Sequence, residues 1–471
     1  MTDSSSDSGS PDSELHSRTM RQAFYRLLPI LILAYLAAFL DRVNIANAAL
    51  TMNASIGLSA HMFGLGAGLF FISYFIFGPP SNLVLERVGA RYWIAPMVIG
   101  LGALSMAMAS VRGPVTFLIL RFLLGAAEAG VFPGVILYLT YWFPSAYRSR
   151  ITAAFMMAIP GSLAIGGPIS NLILHASGAY GIQGWQWLFI LEGAPTMVLG
   201  FIMYFLLPDR PQSAKWLSFE QKEWLTSTLK AEAHEIQATG GIGLRKAFSD
   251  PSVLLLSLIY LGNISTNLGI AFFLPLIIKS LGITTRQTNY ISAIPYVTGM
   301  VGIFIFGLLS DRFKERRRSI LALSLVISAV GLTGTGFVNA ISFGGALASS
   351  YVSIGMVSIA AIGIYGAKAP FWPLPSLFLT GSAAAGGIAF INAIGNLGGF
   401  IGPFAVGWMK DTTHSYTLAL YALAGFGAIS ALATLFLRIP GASGPIDPAQ
   451  REVKAVPAPP KTNCESPRPV L

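Results

Sequence analysis

This sequence has few charged residues and almost no cysteine. Only 11% of its 471 residues are charged, and its single cysteine, Cys464, lies in a Pro-rich stretch near the C-terminus. A soluble domain carries about 25% charged residues, so the composition excludes an ordinary soluble enzyme or binding module. One cysteine also excludes a fold that depends on disulfide bonds.

Groups that carry chemistry are scarce as well. The five histidines show no metal-ligand spacing, and the sequence has no Walker-type glycine loop for phosphate. We therefore expect no metal site and no cofactor, and the lack of a phosphate-binding loop argues against an ATP-driven pump. An intramembrane enzyme would need a nucleophile with its base, or metal ligands, at membrane depth, and no His or Cys is placed for that role.

Apolar residues are what the chain has in excess. They make up 54% of the sequence, and many runs reach the ~20 residues that a helix needs to cross a bilayer. The first run is too long for the core of a cleaved signal peptide, and we expect no cleavage. The sequence predicts an all-α membrane protein with twelve transmembrane helices in two six-helix halves, embedded in the lipid bilayer. The twelve apolar segments lie near residues 27–48, 62–84, 92–111, 114–141, 151–174, 187–207, 252–278, 288–310, 319–338, 346–378, 384–409 and 416–437.

One long polar stretch divides these segments six and six, and it sets the predicted domain boundaries. Within this stretch, Ser218 to Ala233 reads as a short amphipathic helix with Ser218 as N-cap and Phe219, Trp224, Leu225 and Leu229 as apolar contacts. Such a helix lies on the membrane surface or against the bundle. We predict a cytoplasmic tail (1–26), a first half (27–207), a cytoplasmic linker (208–251), a second half (252–438) and a disordered cytoplasmic tail (439–471).

The distribution of Lys and Arg predicts the orientation. With the N-terminus inside, 23 of the 30 basic residues fall in inner loops and tails, and four fall in outer loops. This ratio predicts that both termini are cytoplasmic. The net charge of +10 follows from the same bias, so we do not expect nucleic acid as a partner.

A repeated motif indicates that the halves are duplicates. Residues 82–91 read NLVLERVGAR and residues 307–316 read GLLSDRFKER, each at the cytoplasmic end of the second helix of its half. Two acid–arginine pairs at equivalent places argue for duplicated halves related by an axis along the membrane normal. We assign gating roles to the charged residues Glu86, Arg87, Arg91, Asp311 and Arg312.

These loops resemble the signature G-x-L-x-D-R-x-G-R-[RK] of the major facilitator superfamily. Asn82 replaces the leading Gly of the first copy, Glu86 replaces its Asp, and Lys314 replaces the inner Gly of the second copy. Other stretches resemble one branch, the anion:cation symporters, which include bacterial permeases for tartrate, phthalate and glucarate. They are DRVNI (41–45), RFLLGAAEAGVFPG (121–134), YWFP (141–144), GWQWLFILEG (184–193), PFW (370–372) and NAIGNLGGF (392–400).

Charged residues inside apolar segments are expensive and usually line a polar pathway. Asp41 and Arg42 lie about 21 Å along the first helix, at 1.5 Å per residue, and point about 100° apart, which leaves each free for another partner. Arg121 and Glu128 are two turns apart on one face of the fourth helix. The alternatives are a pair that locks helix packing and an arginine that fixes a bend or snorkels outward. The resemblance implies that Asp41 and Glu128 carry protons, while Arg42 and Arg121 attract the substrate carboxylate or partner those acids.

Five further polar residues are candidates with open alternatives. Tyr74 matches a family position that faces the cavity, or it packs in the bundle. Asn392 and Asn396 share a helix face, where they contact substrate or hydrogen-bond neighbouring helices. Lys368 departs from the branch pattern; it binds a second carboxylate, or it snorkels or pairs with a helix-end carbonyl. Glu192 is a third titrating group or, in the favoured reading, a structural hydrogen bond.

The sequence and the resemblance together predict a proton-coupled symporter in the bacterial inner membrane. Its substrate is a small organic anion, a dicarboxylate or a hydroxy or aromatic acid such as tartrate or phthalate, imported by alternating access. We expect a monomer. The rival predictions are an exporter or anion exchanger of the same fold and a sensor that uses the transporter fold.

Overall fold

Long apolar segments form helices because a bilayer offers no water to satisfy the backbone. The structure is a computed structural model, and it describes residues 11–144, 147, 151, 154–156, 158–174, 181–238, 250–341, 346–375 and 381–437. The described helices are α1 (Pro11–Val43), α2 (Ile45–Ser55), α3 (Ala60–Val88), α4 (Ala90–Met108), α5 (Pro114–Glu128), α6 (Val131–Thr140), α7 (Ala158–Leu174), α8 (Gly184–Leu206), α9 (Phe219–Ala238), α10 (Pro251–Ser280), α11 (Thr285–Ile291), α12 (Ala293–Arg312), α13 (Arg317–Ile341), α14 (Ala346–Gly366), α15 (Lys368–Phe371), α16 (Gly381–Asn396), α17 (Gly398–Thr413) and α18 (Thr417–Phe436).

These helices form twelve spans, which we number in chain order. Eleven helical stretches of the described chain are long and apolar enough to cross a membrane, and the shorter α7 supplies span five. The predicted all-α, twelve-helix fold is confirmed. Spans one and four each change from one helix to the next beside a buried charge, after Val43 and after Glu128. Such breaks occur at membrane depth only where neighbouring protein groups satisfy the backbone.

The predicted linker helix is present as α9. Its N-terminus is capped as predicted, since the Ser218 hydroxyl accepts from the Gln221 N–H at 3.3 Å. Leu225 is buried, and Trp224 stacks on His16 with 4.1 Å between ring centroids. Phe219 is 80% exposed, so its predicted apolar contact is not made with the bundle, and a contact with the membrane surface stays a prediction.

Helix α1 begins well before the first apolar segment, because residues that read as a polar tail pack against the bundle. Ala23 is buried, and His16 contacts α9. We call the side of the bundle that carries α9 the linker face, and the opposite side the distal face.

The two halves meet tightly at the distal face. Spans two and eleven approach so closely that a Cβ on Gly64 would lie 2.4 Å from the Pro403 carbonyl oxygen. At the same end, the Asp411 carboxylate accepts from the Ala60 and His61 N–H groups at 3.1 and 2.8 Å. The Lys279 ammonium donates to the Leu50 carbonyl at 2.8 Å. These contacts therefore hold the two halves together at the distal face.

Candidate functional site

Four of the charged candidates from the sequence are buried in the first half. Arg121 and Glu128 are each 1% exposed, and Asp41 and Glu192 are also buried. They lie on spans one, four and six, away from the loops. A buried charge is stable only with a partner, so the contacts of each group define the site.

Arg42 and Glu128 form an ion pair between spans one and four. The Arg42 Nη2 group donates to Glu128 Oε1, while Glu128 Oε2 is buried and accepts no hydrogen bond from the described residues. The Arg42 guanidinium also lies over the Tyr74 ring, with 5.5 Å from Cζ to the centroid. The structure therefore gives Glu128 a partner on another span, although Arg121 shares its own helix.

Arg121 lies beside this pair with its hydrogen bonds incompletely satisfied. Its Nε group donates to the Gly66 carbonyl at 3.3 Å, but Nη2 is buried and meets no acceptor within the described part of the chain. The Phe70 ring is 4.9 Å from the Arg121 Cζ and 5.3 Å from the Arg42 Cζ. Phe272, from the second half, lies 5.9 Å from the Arg121 Cζ. Two cations thus lie near one aromatic ring, whose quadrupole favours positive charge over its faces.

Phe70 and Phe272 were not predicted as site residues. The sequence offers no signal for them, because aromatic residues are frequent throughout apolar segments.

Asp41 occupies a separate polar pocket. Its Oδ1 accepts from the Ser105 hydroxyl at 2.8 Å, and its Oδ2 accepts from the Thr196 hydroxyl at 3.0 Å. The adjacent Arg42 points to a different partner, as the 100° rotation between neighbouring residues predicts. Asp41 is therefore held by neutral donors from spans three and six.

The remaining candidates lie around this site or in the second half. Tyr74 is half-buried against Phe70 and Arg42. Asn392 and Asn396 are half-buried on span eleven. Lys368 lies at the start of α15, with its Nζ 4.6 Å from the Tyr365 ring centroid, and it lines a small cavity with Tyr260 and Asn263. The structure brings Tyr74 to Arg42 and places Lys368 among other residues, in the second half.

The predicted gating residues lie at the linker face. Arg87 and Arg312 are exposed, and the Arg91 guanidinium packs over Tyr204 at 5.1 Å. The side chains of Glu86 and Asp311 lie outside what the structure describes.

Asp209 caps the helix that follows the first repeated motif, and the sequence did not single it out. Its carboxylate accepts from the Arg91 N–H at 2.8 Å. The cap fits against Gly89, whose φ of 97° and close approach to Asp209 favour glycine. The one signal in the sequence for this cap is the position of Asp209, an acidic residue just after span six.

Comparisons with known proteins agree with this architecture. The chain matches the Major Facilitator Superfamily over residues 31–370 and 256–467. It is 44% identical over 425 residues to an Agrobacterium vitis protein named "Putative tartrate transporter", covering 90% of this chain and 92% of that protein. It is 39% identical over 405 residues to a "Quinolone resistance transporter" of Acinetobacter baumannii, covering 86% of this chain and 91% of that protein.

A crystal structure shares the fold at low sequence identity. It is a bacterial homolog of the human lysosomal transporter Spinster in an inward-facing and occupied conformation, 16% identical, with a TM-score of 0.72 and coverage of 87% of this chain and 96% of that one. The family match spans most of the chain, and the relatives are similar along nearly their whole length. The chain belongs to the Major Facilitator Superfamily of membrane transporters.

Proposed function

We propose that the chain is a proton-coupled symporter that imports a small organic anion. The observation that carries this proposal is a local imbalance of charge around Glu128, since Arg42 and Arg121 both face this single carboxylate. A buried cation without a full set of partners is costly. A substrate carboxylate beside Arg121 would supply the missing acceptor, and an arginine fork binds carboxylate through two hydrogen bonds.

Proton coupling follows from competition for Arg42. While Glu128 is ionised, it neutralises Arg42; a proton on Glu128 weakens that ion pair and frees Arg42 for the substrate. Proton binding and anion binding then favour each other, and thermodynamic linkage makes the effect reciprocal. With Glu128 protonated, the two arginines are both free for one carboxylate of a dicarboxylate, and the other carboxylate needs a partner in the second half.

The other candidates have supporting roles in this proposal. Asp41 is the second proton carrier, since its hydroxyl partners support either protonation state. Tyr74 donates to a substrate oxygen beside Arg42, and Asn392 and Asn396 contact the substrate from span eleven. Lys368 receives the second carboxylate. The relative named for tartrate supports a dicarboxylate substrate.

Alternating access requires one face of the bundle to open while the other is closed. We propose that the linker face is cytoplasmic, as the Lys and Arg distribution indicates, and that both termini lie there. The contacts of Asp411 and Lys279 then close the outer face in this conformation. Glu86, Arg87, Arg91, Asp311 and Arg312 gate the cytoplasmic face. We place the protein in a bacterial cytoplasmic membrane as a monomer, with the domain boundaries given by the sequence.

Reconstitution in proteoliposomes tests the proposal. An inward proton gradient should drive accumulation of labelled tartrate, and tartrate should carry protons inward, as a trapped pH dye reports. Succinate and phthalate compete to define the class of acid. Proton influx without tartrate dependence, or tartrate uptake that ignores the gradient, would contradict symport.

An exporter of the same fold is the second candidate. The observation that favours it is the 39% identity to a protein named for quinolone resistance. Inside-out vesicles with an imposed proton gradient separate the two functions. Gradient-dependent uptake of a quinolone into those vesicles, with no tartrate uptake into right-side-out vesicles, would favour export.

A further inference from the structure

Phe272 is a buried aromatic residue of the second half whose ring lies beside a charged residue of the first half. Its side chain is 1% exposed, and its ring centroid is 5.9 Å from the Arg121 Cζ. The same ring packs edge-on against Phe71 of span two, with 6.3 Å between the centroids. Phe272, on span seven, therefore reaches across the interface between the halves to spans two and four.

The other close contacts of the Arg121 guanidinium come from its own half. Phe70 lies on span two with its ring centroid 4.9 Å from the Arg121 Cζ, and span two also supplies the Gly66 carbonyl that accepts from Arg121 Nε. These contacts stay in place when the two halves move as rigid bodies. Of the ring and hydrogen-bond partners that the described residues give Arg121, Phe272 alone belongs to the second half and leaves when the distal face opens.

The next residue, Phe273, makes a comparable contact between the halves without a charge. It is fully buried, and its ring packs edge-on against Phe63 of span two at 5.2 Å between centroids. Its other ring partner among the described residues is Tyr416, at 6.3 Å. Both phenylalanines therefore pack in the interface between the halves, and they differ in that Phe272 contacts a cation.

The strength of the contact between Phe272 and Arg121 depends on the charge of the guanidinium, because the quadrupole of the ring attracts positive charge. Arg121 Nη2 is buried without an acceptor among the described residues. An anion bound there would offset much of the positive charge and weaken the contact with the ring. The contact therefore stabilises the closed distal face more in the empty protein than in the anion-bound protein. Because such linkage is reciprocal, closing the distal face lowers the affinity of Arg121 for the anion.

We propose that Phe272 is a positioning residue that couples closure of the distal face to release of the anion from Arg121. This inference rests on the proposed symport of an organic anion. While the distal face is open, Phe272 is separated from Arg121, and the anion binds the guanidinium. As the halves close, the Phe272 ring comes to lie beside the guanidinium, the anion is held less tightly, and it leaves toward the linker face.

Ala46 offers a position from which opening can be measured. It is 4% exposed and lines a cavity of about 30 Å³ between the halves, together with Asn44 from span one and Ser292 from the second half. The Asn44 amide donates to Glu192 Oε2 on span six, so this wall of the cavity is held by a contact within the first half. With Ala46→Cys in a Cys464→Ser background, the rate of maleimide labelling of purified protein reports separation of the halves at this cavity.

The variant Phe272→Met tests the coupling, because methionine fills much of the same space without an aromatic ring. In the reporter protein with Phe272 in place, saturating tartrate should raise the labelling rate about two- to fivefold, within the range of one cation–π contact. In Phe272→Met the rate without tartrate should already be raised by at least that factor, and tartrate should raise it little further. Phe272→Tyr, which keeps an aromatic face, should restore the response to tartrate.

Phe273→Met is the matched control, because it removes a neighbouring buried ring from the same interface. It should raise the labelling rate without tartrate, and tartrate should still raise the rate by the wild-type factor. A double-mutant cycle tests the contact without any ligand. In an Arg121→Met background, the increase caused by Phe272→Met should be about two- to fivefold smaller, and the increase caused by Phe273→Met should be unchanged. Phe272→Leu takes the place of Phe272→Met if that variant does not fold.

Two outcomes overturn this role of Phe272. One is a response to tartrate that is the same in Phe272→Met and in wild type. The other is an effect of Phe272→Met that does not depend on Arg121, which would make Phe272 a packing residue like Phe273. A failure of the proposed function is distinguishable, because purified wild-type protein would then not bind labelled tartrate, whereas a failure of the coupling alone leaves tartrate binding intact.

Discussion

Arg121 keeps its charge at any pH that a cell reaches, because a guanidinium does not lose its proton in proteins. Its surroundings therefore have to accommodate a permanent cation. The structure does so with one carbonyl, two aromatic rings and the nearby Glu128, and one amino group has no acceptor among the residues that the structure describes. At the scale of the residue, the missing hydrogen-bond acceptor of Arg121 is the reason to expect a bound anion.

The first prediction concerns the geometry of that group. Arg121→Lys keeps one charge but loses the planar fork, so tartrate affinity should fall about tenfold, or about 1.4 kcal/mol, within the range for hydrogen bonds to charged groups. Equilibrium binding of labelled tartrate to purified protein is the measurement. Arg210→Lys is the control, since Arg210 packs over Tyr141 at 3.5 Å outside the site. Unchanged affinity in a folded Arg121→Lys protein would place the anion elsewhere.

The second prediction separates the proton carriers from the anion site. Asp41→Asn and Glu128→Gln should each abolish proton-driven accumulation, because a permanently neutral side chain cannot release a proton inside. Glu128→Gln also frees Arg42 permanently, so tartrate binding should become less dependent on pH while counterflow exchange continues. Parallel uptake and counterflow assays in proteoliposomes measure both effects. Normal accumulation in both variants would show that other groups carry the protons.

The third prediction concerns Lys368, which faces a tyrosine ring in the structure. Lys368→Ala should erase a preference for dicarboxylates over matched monocarboxylates, with a selectivity change of about 1–3 kcal/mol. Competition of labelled uptake by succinate and butyrate reports the ranking. Lys410→Ala is the control, since Lys410 also lies over a tyrosine, 4.8 Å from the Tyr416 centroid. An unchanged ranking in Lys368→Ala would make this lysine structural.

At the scale of the helix, two aspartates each cap a helix N-terminus, and the two caps have different consequences. Asp250 caps its own helix, accepting from the Ser252 N–H at 2.7 Å. Asp411 ends span eleven and caps span two, which belongs to the other half. An N-cap within one helix stabilises that helix, whereas a cap across the halves stabilises one conformation of the transporter over the other.

The fourth prediction uses this pair. An Ala substitution of an N-cap costs about 0.5–2 kcal/mol, so Asp411→Ala should lower the ratio of closed to open distal faces about 2- to 30-fold. A cysteine at Ala46, which lines the cavity between the halves, reports opening by its labelling rate in a Cys464→Ser background. Asp250→Ala should leave that rate unchanged. Equal labelling in the two variants would show that Asp411 does not hold the halves together.

At the scale of the whole molecule, the two halves resemble each other in fold and differ in chemistry. The buried acids and arginines described here, Asp41, Arg42, Arg121, Glu128 and Glu192, all belong to the first half. The second half contributes Phe272, Tyr260 and Lys368. The proposed cycle therefore takes its proton carriers from the first half, while the second half supplies Lys368 and the contacts of Asp411 and Lys279 that close the distal face.

The fifth prediction concerns the charge moved by a complete cycle. A dianion that enters with two protons, one on Asp41 and one on Glu128, moves no net charge, whereas a monoanion with two protons moves one positive charge. A membrane potential contributes about 2.3 kcal/mol per charge per 100 mV. Tartrate accumulation at a fixed pH gradient should therefore be insensitive to an imposed potassium diffusion potential, and monocarboxylate uptake should increase with it. Strong potential dependence of tartrate uptake would contradict two-proton coupling.

The sequence by itself determined the membrane class, the twelve spans and which spans carry the charged residues. Hydropathy and length are local properties of the chain, and they fix where a helix crosses the bilayer. The repeated motifs and the residues around Asp41 and Glu128 also predicted the family, which the comparisons confirmed. The roles of those residues and the orientation in the membrane stay predictions.

Only the tertiary structure decided which groups meet. Glu128 shares a helix face with Arg121 but pairs with Arg42, 86 residues away, and Asp41 bonds to Thr196, 155 residues away. Glu192, Asp209 and Asp411 gained their partners in the same way. Such contacts depend on how closely and at what angle the spans pack, and helix periodicity does not encode that geometry. For this reason the sequence located the charges, and the packing of the spans assigned their partners.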